Sequence, residues 1–291
     1  MFECALIDAD VILYRIAHTY THWLHDAPLW SAECLPEARA DIDAMVAQIT
    51  REALCDYSLL CLSDKHSYRK AKVPSYKANR KSSKRPPVEL LAVLRAYMTE
   101  NYDSRVFPFK EADDVMGIIS TTNRGECVIC TIDKDLDTVP GFHYRWHHPE
   151  WGVFKIDPKV AARALRVQIL AGDPTDGFKG LPRIGLKKAA AMVDSEDFES
   201  VRKCYQEFPG FATVEEADKS FFDNALCATI LQKKHNPFSR KYCPTAPVAT
   251  LAWRVLAAKR MAQEVLPFTY DNARVCPYGQ HAVVSDSEVS E

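Results

Sequence analysis

Glycine is scarce in this chain, with 10 residues among 291. No apolar run approaches the roughly 18 to 20 residues that cross a bilayer. The first shortage excludes collagen-like and Gly-rich low-complexity architectures. The second leaves no candidate membrane helix. The phosphate-loop pattern GxxxxGK(S/T) is missing, so nucleotide triphosphate hydrolysis has no support. Histidine numbers nine and forms no ligand-rich set, which argues against zinc. Cys127 and Cys130 have the spacing of half a zinc site, but no second pair follows. Their apolar setting reads as a buried strand, whose alternation sends the two thiols to opposite faces. The first residues lack a basic start and a clean apolar core, so no signal peptide is expected. An intracellular, cytoplasmic protein is the expectation, with its ten cysteines as reduced thiols.

What remains is an ordinary soluble composition, 47% hydrophobic and 26% charged. The formal net charge of −2 hides a polarised chain. Between Lys65 and Val88 stand nine Lys and Arg and no acid. A segment so one-sided points to a local polyanion contact. Tyr68 and Tyr76 interleave its cations, as suits phosphate contact with base stacking. The last residues, 283–291, form an acidic tail expected to be disordered.

Apolar runs at 3–9, 57–62 and 126–132 read as buried strands, with a short one at 105–109. Helical spacing appears over 36–56, 88–101 and 111–121. Continuous apolar strands alternating with helices predict an α/β core, a mostly parallel sheet covered on both faces. A hairpin over "FHYRWHH" and "WGVFKI" follows. Helices are then expected at 158–171, 186–194, 196–207, 215–234 and 248–265. The boundaries drawn are a core over 1–156, with an arch-like basic segment at 65–90, and a helical extension over 157–282.

The acids fall into sets at element ends: Asp8 with Asp10; Asp64; Glu111, Asp113 and Asp114; Asp133 and Asp135; Asp173 and Asp176. Ligand sites of parallel sheets lie at the strands' carboxyl ends, where Asp8, Asp64 and Asp133 would gather. Asp8 and Asp10, at i and i+2 of a strand, would point the same way, as would Asp133 and Asp135. Glu111, Asp113 and Asp114 also suit a helix start for capping alone. Five sets on one edge would repel unless protonated or bridged by a hard cation. Mg²⁺ or Mn²⁺ takes oxygen ligands. Two such ions about 4 Å apart activate water and stabilise the leaving oxygen of a phosphodiester.

The stretches "LIDAD", "SDKHSYRK", "PSYKANRK", "EADDVMG", "TIDKDLDTV" and "AGDPTDGFKGLPRIGLKKA" run in order from residue 6 to 189. They resemble the 5′-nuclease family of flap endonucleases and 5′→3′ exonucleases, nearest to stand-alone phage exonucleases. The resemblance implies a PIN-like core and metal ligands at Asp8, Asp64, Glu111, Asp113, Asp114, Asp133, Asp135, Asp173 and Asp176. It implies active-site cations at Lys77, Arg80 and Arg15. It implies DNA contacts at Arg69, Lys70, Lys72, Tyr76, Lys81, Lys84 and Arg85. It also implies a duplex-gripping helix–hairpin–helix near 180–194, using Gly180, Ile184, Gly185, Lys187 and Lys188. The implied partners are DNA 5′ ends, flaps, nicked duplex and RNA–DNA hybrid, in a bacterial or phage-infected cytosol. A monomer is implied, with a separate polymerase as a possible partner and no membrane. A K⁺ on the hairpin's carbonyls belongs to the same pattern. Two departures stand out: Ala9-Asp10 follows Asp8 where the family commonly has Gly, and Arg183 replaces the hairpin's middle Gly, which counts against the K⁺ site.

Other readings share parts of this pattern. A haloacid-dehalogenase-type phosphohydrolase also opens on a strand ending D-x-D, with Asp8 as nucleophile and Asp10 as acid/base. Its late motif is one residue longer than "GDPTD", and "EADD" and "DKD" would have no role in it. A PIN-type RNase and a non-catalytic nucleic-acid-binding protein are the remaining alternatives.

Overall fold

The computed structural model describes residues 1–21, 34–80, 86–122, 126–193 and 197–232. Six strands form one sheet in the order β3-β2-β1-β4-β5-β6. They are β1 (Phe2–Asp8), β2 (Cys55–Cys61), β3 (Ser104–Arg105), β4 (Cys127–Cys130), β5 (Gly141–Tyr144) and β6 (Val153–Ile156). All neighbouring pairs are parallel except β5 with β6, the expected hairpin. Apolar side chains cover both faces. Ala5, Ile7, Val128 and Cys130 pack on one side. Cys4, Leu6, Cys127 and Ile129 pack on the other. Cys127 and Cys130 thus sit on opposite faces of a buried strand, as alternation requires.

Helices α1 (Ala9–Thr21), α2 (Cys34–Glu52) and α4 (Val88–Asn101) border the first face, and α5 (Ala112–Thr122) the second. Between β2 and α4 lies the short α3 (Tyr68–Lys72), with Ser67 accepting from Arg69 N at its start. Beyond β6 come α6 (Pro158–Ala171), α7 (Leu186–Met192), α8 (Phe198–Gln206) and α9 (Val214–Ala228). The starts of α8 and α9 are capped by side chains. Asp197 accepts from Glu199 N, and Thr213 accepts from Glu216 N. Gly172 ends α6 at φ 69.

A second core joins α6, α7, α8 and α9 through Leu165, Ile169, Ala189, Tyr205 and Phe221. Val73 and Tyr76 of the basic segment are buried in this same cluster. Residues 68–80 are therefore docked on the helical layer, where the sequence suggested an arch over the edge. Residues 81–85, with Lys81, Lys84 and Arg85, lie outside the described residues. So do the expected helix 248–265 and the acidic tail.

Three boundaries differ from the sequence reading. Strand β1 ends at Asp8 and α1 begins at once, so Asp10 stands in a helix's first turn. Strand β4 ends at Cys130, and Lys134–Thr138 is a 3-10 turn capped by Asp133. Helix α9 stops at Ala228, short of the expected 234, because the next residues turn inward. There Thr229 C=O accepts from Arg69 Nη2 at 2.5 Å, and Leu231 N donates to Asp114 Oδ1 at 3.0 Å. Among the described residues no helix is long and apolar enough to cross a membrane.

Candidate active site

The site is assembled at the carboxyl edge, where β1 and β4 are neighbours and their connections leave in opposite directions. Asp8 ends β1, almost fully buried. It accepts from Thr131 Oγ1 at 2.9 Å and from Val11 N at 3.3 Å. Burial, reinforced by the charges of Asp10 and Asp133, pushes its carboxyl up to about 7. Asp133 follows β4, and its Oδ1 accepts from Asp135 N at 2.9 Å. Asp135 is pushed up to about 7 by burial and by Asp133 and Asp173. Asp113, half-buried in the first turn of α5, is raised well above the usual range by burial, Asp8 and Asp133. Asp8, Asp113, Asp133 and Asp135 thus form one chain of mutually repelling acids, which Asp173 joins through Asp135.

Asp173 and Asp176 come from the loop after α6. Asp173 Oδ1 accepts from Thr175 N at 2.7 Å and from Asp176 N at 3.3 Å. Asp176 faces the basic segment: Arg80 Nη2 donates to its Oδ1 at 2.5 Å, and Lys77 Nζ stands 3.5 Å from its Oδ2. Lys77 Nζ also donates to Glu111 Oε1 at 2.7 Å. Burial lowers the pKa of Lys77, but the charges of Glu111 and Asp176 outweigh it and raise it above the usual value. The backbone of this corner is welded too. Lys77 N donates to Asp176 C=O at 2.7 Å, and Asn79 Nδ2 donates to Pro174 C=O at 2.7 Å. Lys77 itself sits at φ 53, and a Cβ on Gly177 would meet Ser75 C=O at 2.5 Å. The "PSYKANR" and "GDPTDG" stretches are therefore two halves of one loop pair.

Several residues stand elsewhere than the sequence suggested. Asp114, placed among the metal ligands, is 0% exposed and receives Arg69 through both guanidinium nitrogens at 2.7 Å. Arg69, placed on DNA, is 2% exposed and also donates to Glu111 Oε2 at 2.8 Å. Tyr76, assigned to base stacking, is 4% exposed, and its hydroxyl donates to Glu111 at 3.1 Å. Glu111 therefore holds three protein donors. Burial would raise it, yet Arg69 and Lys77 pull its carboxyl down to about 2. Gly180 is buried at φ 61, and its N–H donates to Asn224 Oδ1, so it offers nothing to a phosphate. Asp64 accepts from Lys65 N and Phe109 N, and so pins the 107–110 turn.

Arg15 is exposed on α1, Lys70 and Lys72 are exposed on α3, and Gly185, Lys187 and Lys188 are exposed at the start of α7. Ile184 is half-buried. Arg183, standing at the family's Gly, has φ 62, the conformation Gly favours. Asp10 resolves into a tethering role: its Oδ2 accepts from Ser63 N at 3.1 Å, and Arg95 stands 3.6 Å away. Ser63 Oγ in turn accepts from Ala112 N at 2.9 Å, tying β2 to the start of α5.

The donor set is all oxygen, and its carboxylates crowd one another, which suits a hard divalent cation. As the side chains stand, no three His, Cys, Asp or Glu among the described residues form a ready-made ion cage.

Residues 3–143 match the family model described as the 5′-3′ exonuclease N-terminal resolvase-like domain. Over these residues, just under half of its length, the chain is similar to the 5′-3′ exonucleases. Over 154 residues the chain is 32% identical to an exodeoxyribonuclease of Enterobacteria phage T3, covering 50% of each protein. Over 140 residues it is 27% identical to the flap endonuclease Xni of Shewanella baltica, covering 45% of this chain and 53% of that one. The chain thus spans about half the length of the curated relatives it matches. Among solved structures, a flap endonuclease of bacteriophage T5 in complex with DNA and metal ions superposes with a TM-score of 0.62 at 11% identity. That match covers 90% of this chain and 98% of the phage chain. At that identity the likeness establishes a shared fold alone, the mostly parallel sheet flanked by helices.

Proposed function

We propose that this chain is a divalent-metal-dependent 5′-nuclease that hydrolyses phosphodiesters near the 5′ end of duplex or flapped DNA. The carrying observation is an overfilled carboxylate edge with two cations, Lys77 and Arg80, held at its rim by Glu111 and Asp176. The phage exodeoxyribonuclease, the Xni flap endonucleases and the DNA- and metal-bound T5 fold support the reading.

Asp8, Asp113, Asp133, Asp135 and Asp173 would hold Mg²⁺ or Mn²⁺ as two ions, with Asp176 and Glu111 closing the rim. Bound there, such ions supply an activated water and offset charge on the leaving oxygen. Lys77 keeps its proton, so it serves as a fixed positive charge and not as a base. Lys77 and Arg80 exchange carboxylate partners for phosphate oxygens as negative charge builds on the scissile group. Arg15, Lys70 and Lys72 guide the 5′ strand, continued by Lys81, Lys84 and Arg85. The turn before α7 acts as a helix–hairpin–helix grip through Gly185, Lys187 and Lys188 on duplex phosphates. A K⁺ on its carbonyls fits this reading less well, since Arg183 occupies the turn. Residues 1–156 act as the catalytic core and 157–282 as the DNA-binding extension of a monomer. The task is primer removal or 5′ degradation during replication, alongside a separate polymerase.

A panel of 5′-labelled flap, nicked duplex, RNA–DNA hybrid and single-stranded RNA, with Mg²⁺ or EDTA, tests this. Short 5′ products from DNA substrates only with Mg²⁺ are expected. Cleavage confined to single-stranded RNA, or a trapped phosphoenzyme on Asp8, would overturn it.

A further inference from the structure

The stretch 131–137 carries Asp133 and Asp135, yet it belongs to no strand and ends in a single 3-10 turn. Its shape is held from the neighbouring strand. Arg145, just past the end of β5, is 4% exposed. Its Nη1 donates to Asp133 C=O at 2.5 Å and to Thr131 C=O at 3.4 Å, and its Nη2 pairs with Asp137. One planar guanidinium thus grips three points of the loop, a geometry that lysine's point charge does not reproduce. Asp137 carries the pairing charge, which is why it stands apart from the other acids of "DKDLD".

The grip reaches further through Thr131. The same residue whose carbonyl faces Arg145 donates its hydroxyl to Asp8 at 2.9 Å and accepts from Asp133 N at 3.1 Å. Asp133 then receives Asp135 N. The 131–133 backbone is therefore linked by hydrogen bonds to Asp8, Asp133 and Asp135 at once. Arg145 touches none of their carboxylates.

We propose that Arg145 is the positioning residue of the metal site, fixing the 131–137 loop so that Asp8, Asp133 and Asp135 converge on one ion. The inference rests on the nuclease reading above. It goes beyond it by naming a residue that binds neither ion nor DNA. Partners that orient ligands typically govern metal affinity by 10- to 100-fold.

The test uses the full chain with Arg145→Gln and Asp137→Asn combined, so that no buried charge is left alone. Mn²⁺ binding is measured by calorimetry, and folding by a thermal melt without metal. A cooperative melt with Mn²⁺ affinity lowered by about 10-fold or more is expected. Asp137→Asn alone keeps both carbonyl contacts and is expected to bind Mn²⁺ within about threefold of wild type. A folded double variant with wild-type Mn²⁺ affinity overturns the proposal. So does loss of the cooperative melt, which would make Arg145 a stability residue only. If the wild-type chain itself binds no Mn²⁺, the nuclease reading has failed instead.

Discussion

Arg69→Met separates the structural account of the basic segment from the DNA-contact account. Arg69 donates to Glu111 at 2.8 Å, to Asp114 twice at 2.7 Å and to Thr229 C=O at 2.5 Å. Its loss does not strand Glu111, which keeps Lys77 at 2.7 Å and Tyr76 at 3.1 Å. Asp114 is the group left exposed to the full penalty. It is wholly buried and, among the described residues, would retain the N–H groups of Leu231 at 3.0 Å and Glu111 at 3.3 Å. Breaking a buried pair from one side costs about 3 to 5 kcal/mol, because the remaining charge has no compensation. Adding Asp114→Asn removes that charge while keeping an acceptor for Leu231 N, and is expected to recover about half the loss. Urea unfolding followed by circular dichroism measures both. An unchanged urea midpoint with weakened duplex binding, its salt slope reduced by about one, would refute the reasoning and return Arg69 to the DNA.

Lys77→Ala is expected to lower the single-turnover cleavage rate by about 100-fold or more, with duplex affinity in Ca²⁺ changed by less than about threefold; a loss confined to affinity would make Lys77 a docking contact. The carboxyls of Asp8 and Asp135, raised to about 7, should make the metal-free protein lose stability as pH rises from about 4 through 7. In that window the folded state holds protons that the unfolded chain has released. Buried His143, pushed down to about 3, gives the opposite slope with or without metal. The difference between urea midpoints with and without Mn²⁺ therefore isolates the acids and should widen with pH; a constant difference contradicts the crowding. Gly180→Ala should destabilise by more than about 3 kcal/mol, since its Cβ would lie 2.3 Å from Gly172 N and 2.5 Å from Leu170 C=O at φ 61. Urea unfolding of that variant at wild-type stability would show that the turn around Gly180 relaxes freely.

The sheet was legible because its strands are continuous apolar runs, and runs of that kind need cover on both faces. The acid sets were legible because each sits where such a run ends. Helix α1 was legible in principle: Ala9, Ile12, Leu13, Ile16, Ala17 and Tyr20 form one buried face at helical spacing. Asp8-Ala-Asp10 read as a strand end masked it. What local pattern could not show is which charges meet across the chain. Arg69 lies 45 residues from Asp114 and Arg80 lies 96 from Asp176, and both cations sit in a segment whose composition alone suggests solvent and phosphate. Tyr76 looked exposed for the same reason, yet the second core claims it. Arg145 gave no signal of its own, because two of its three acceptors are backbone carbonyls that leave no mark on composition.

In the nuclease reading, carboxylates at the carboxyl ends of β1 and β4 hold the ions that activate water. Asp133→Asn with Asp135→Asn, assayed on a 5′-labelled DNA flap in Mg²⁺ beside a binding assay in Ca²⁺, tests it most directly. Cleavage falling below about a thousandth of wild type with flap affinity retained within about threefold is the predicted result. Turnover persisting near the wild-type rate in the double variant would contradict it.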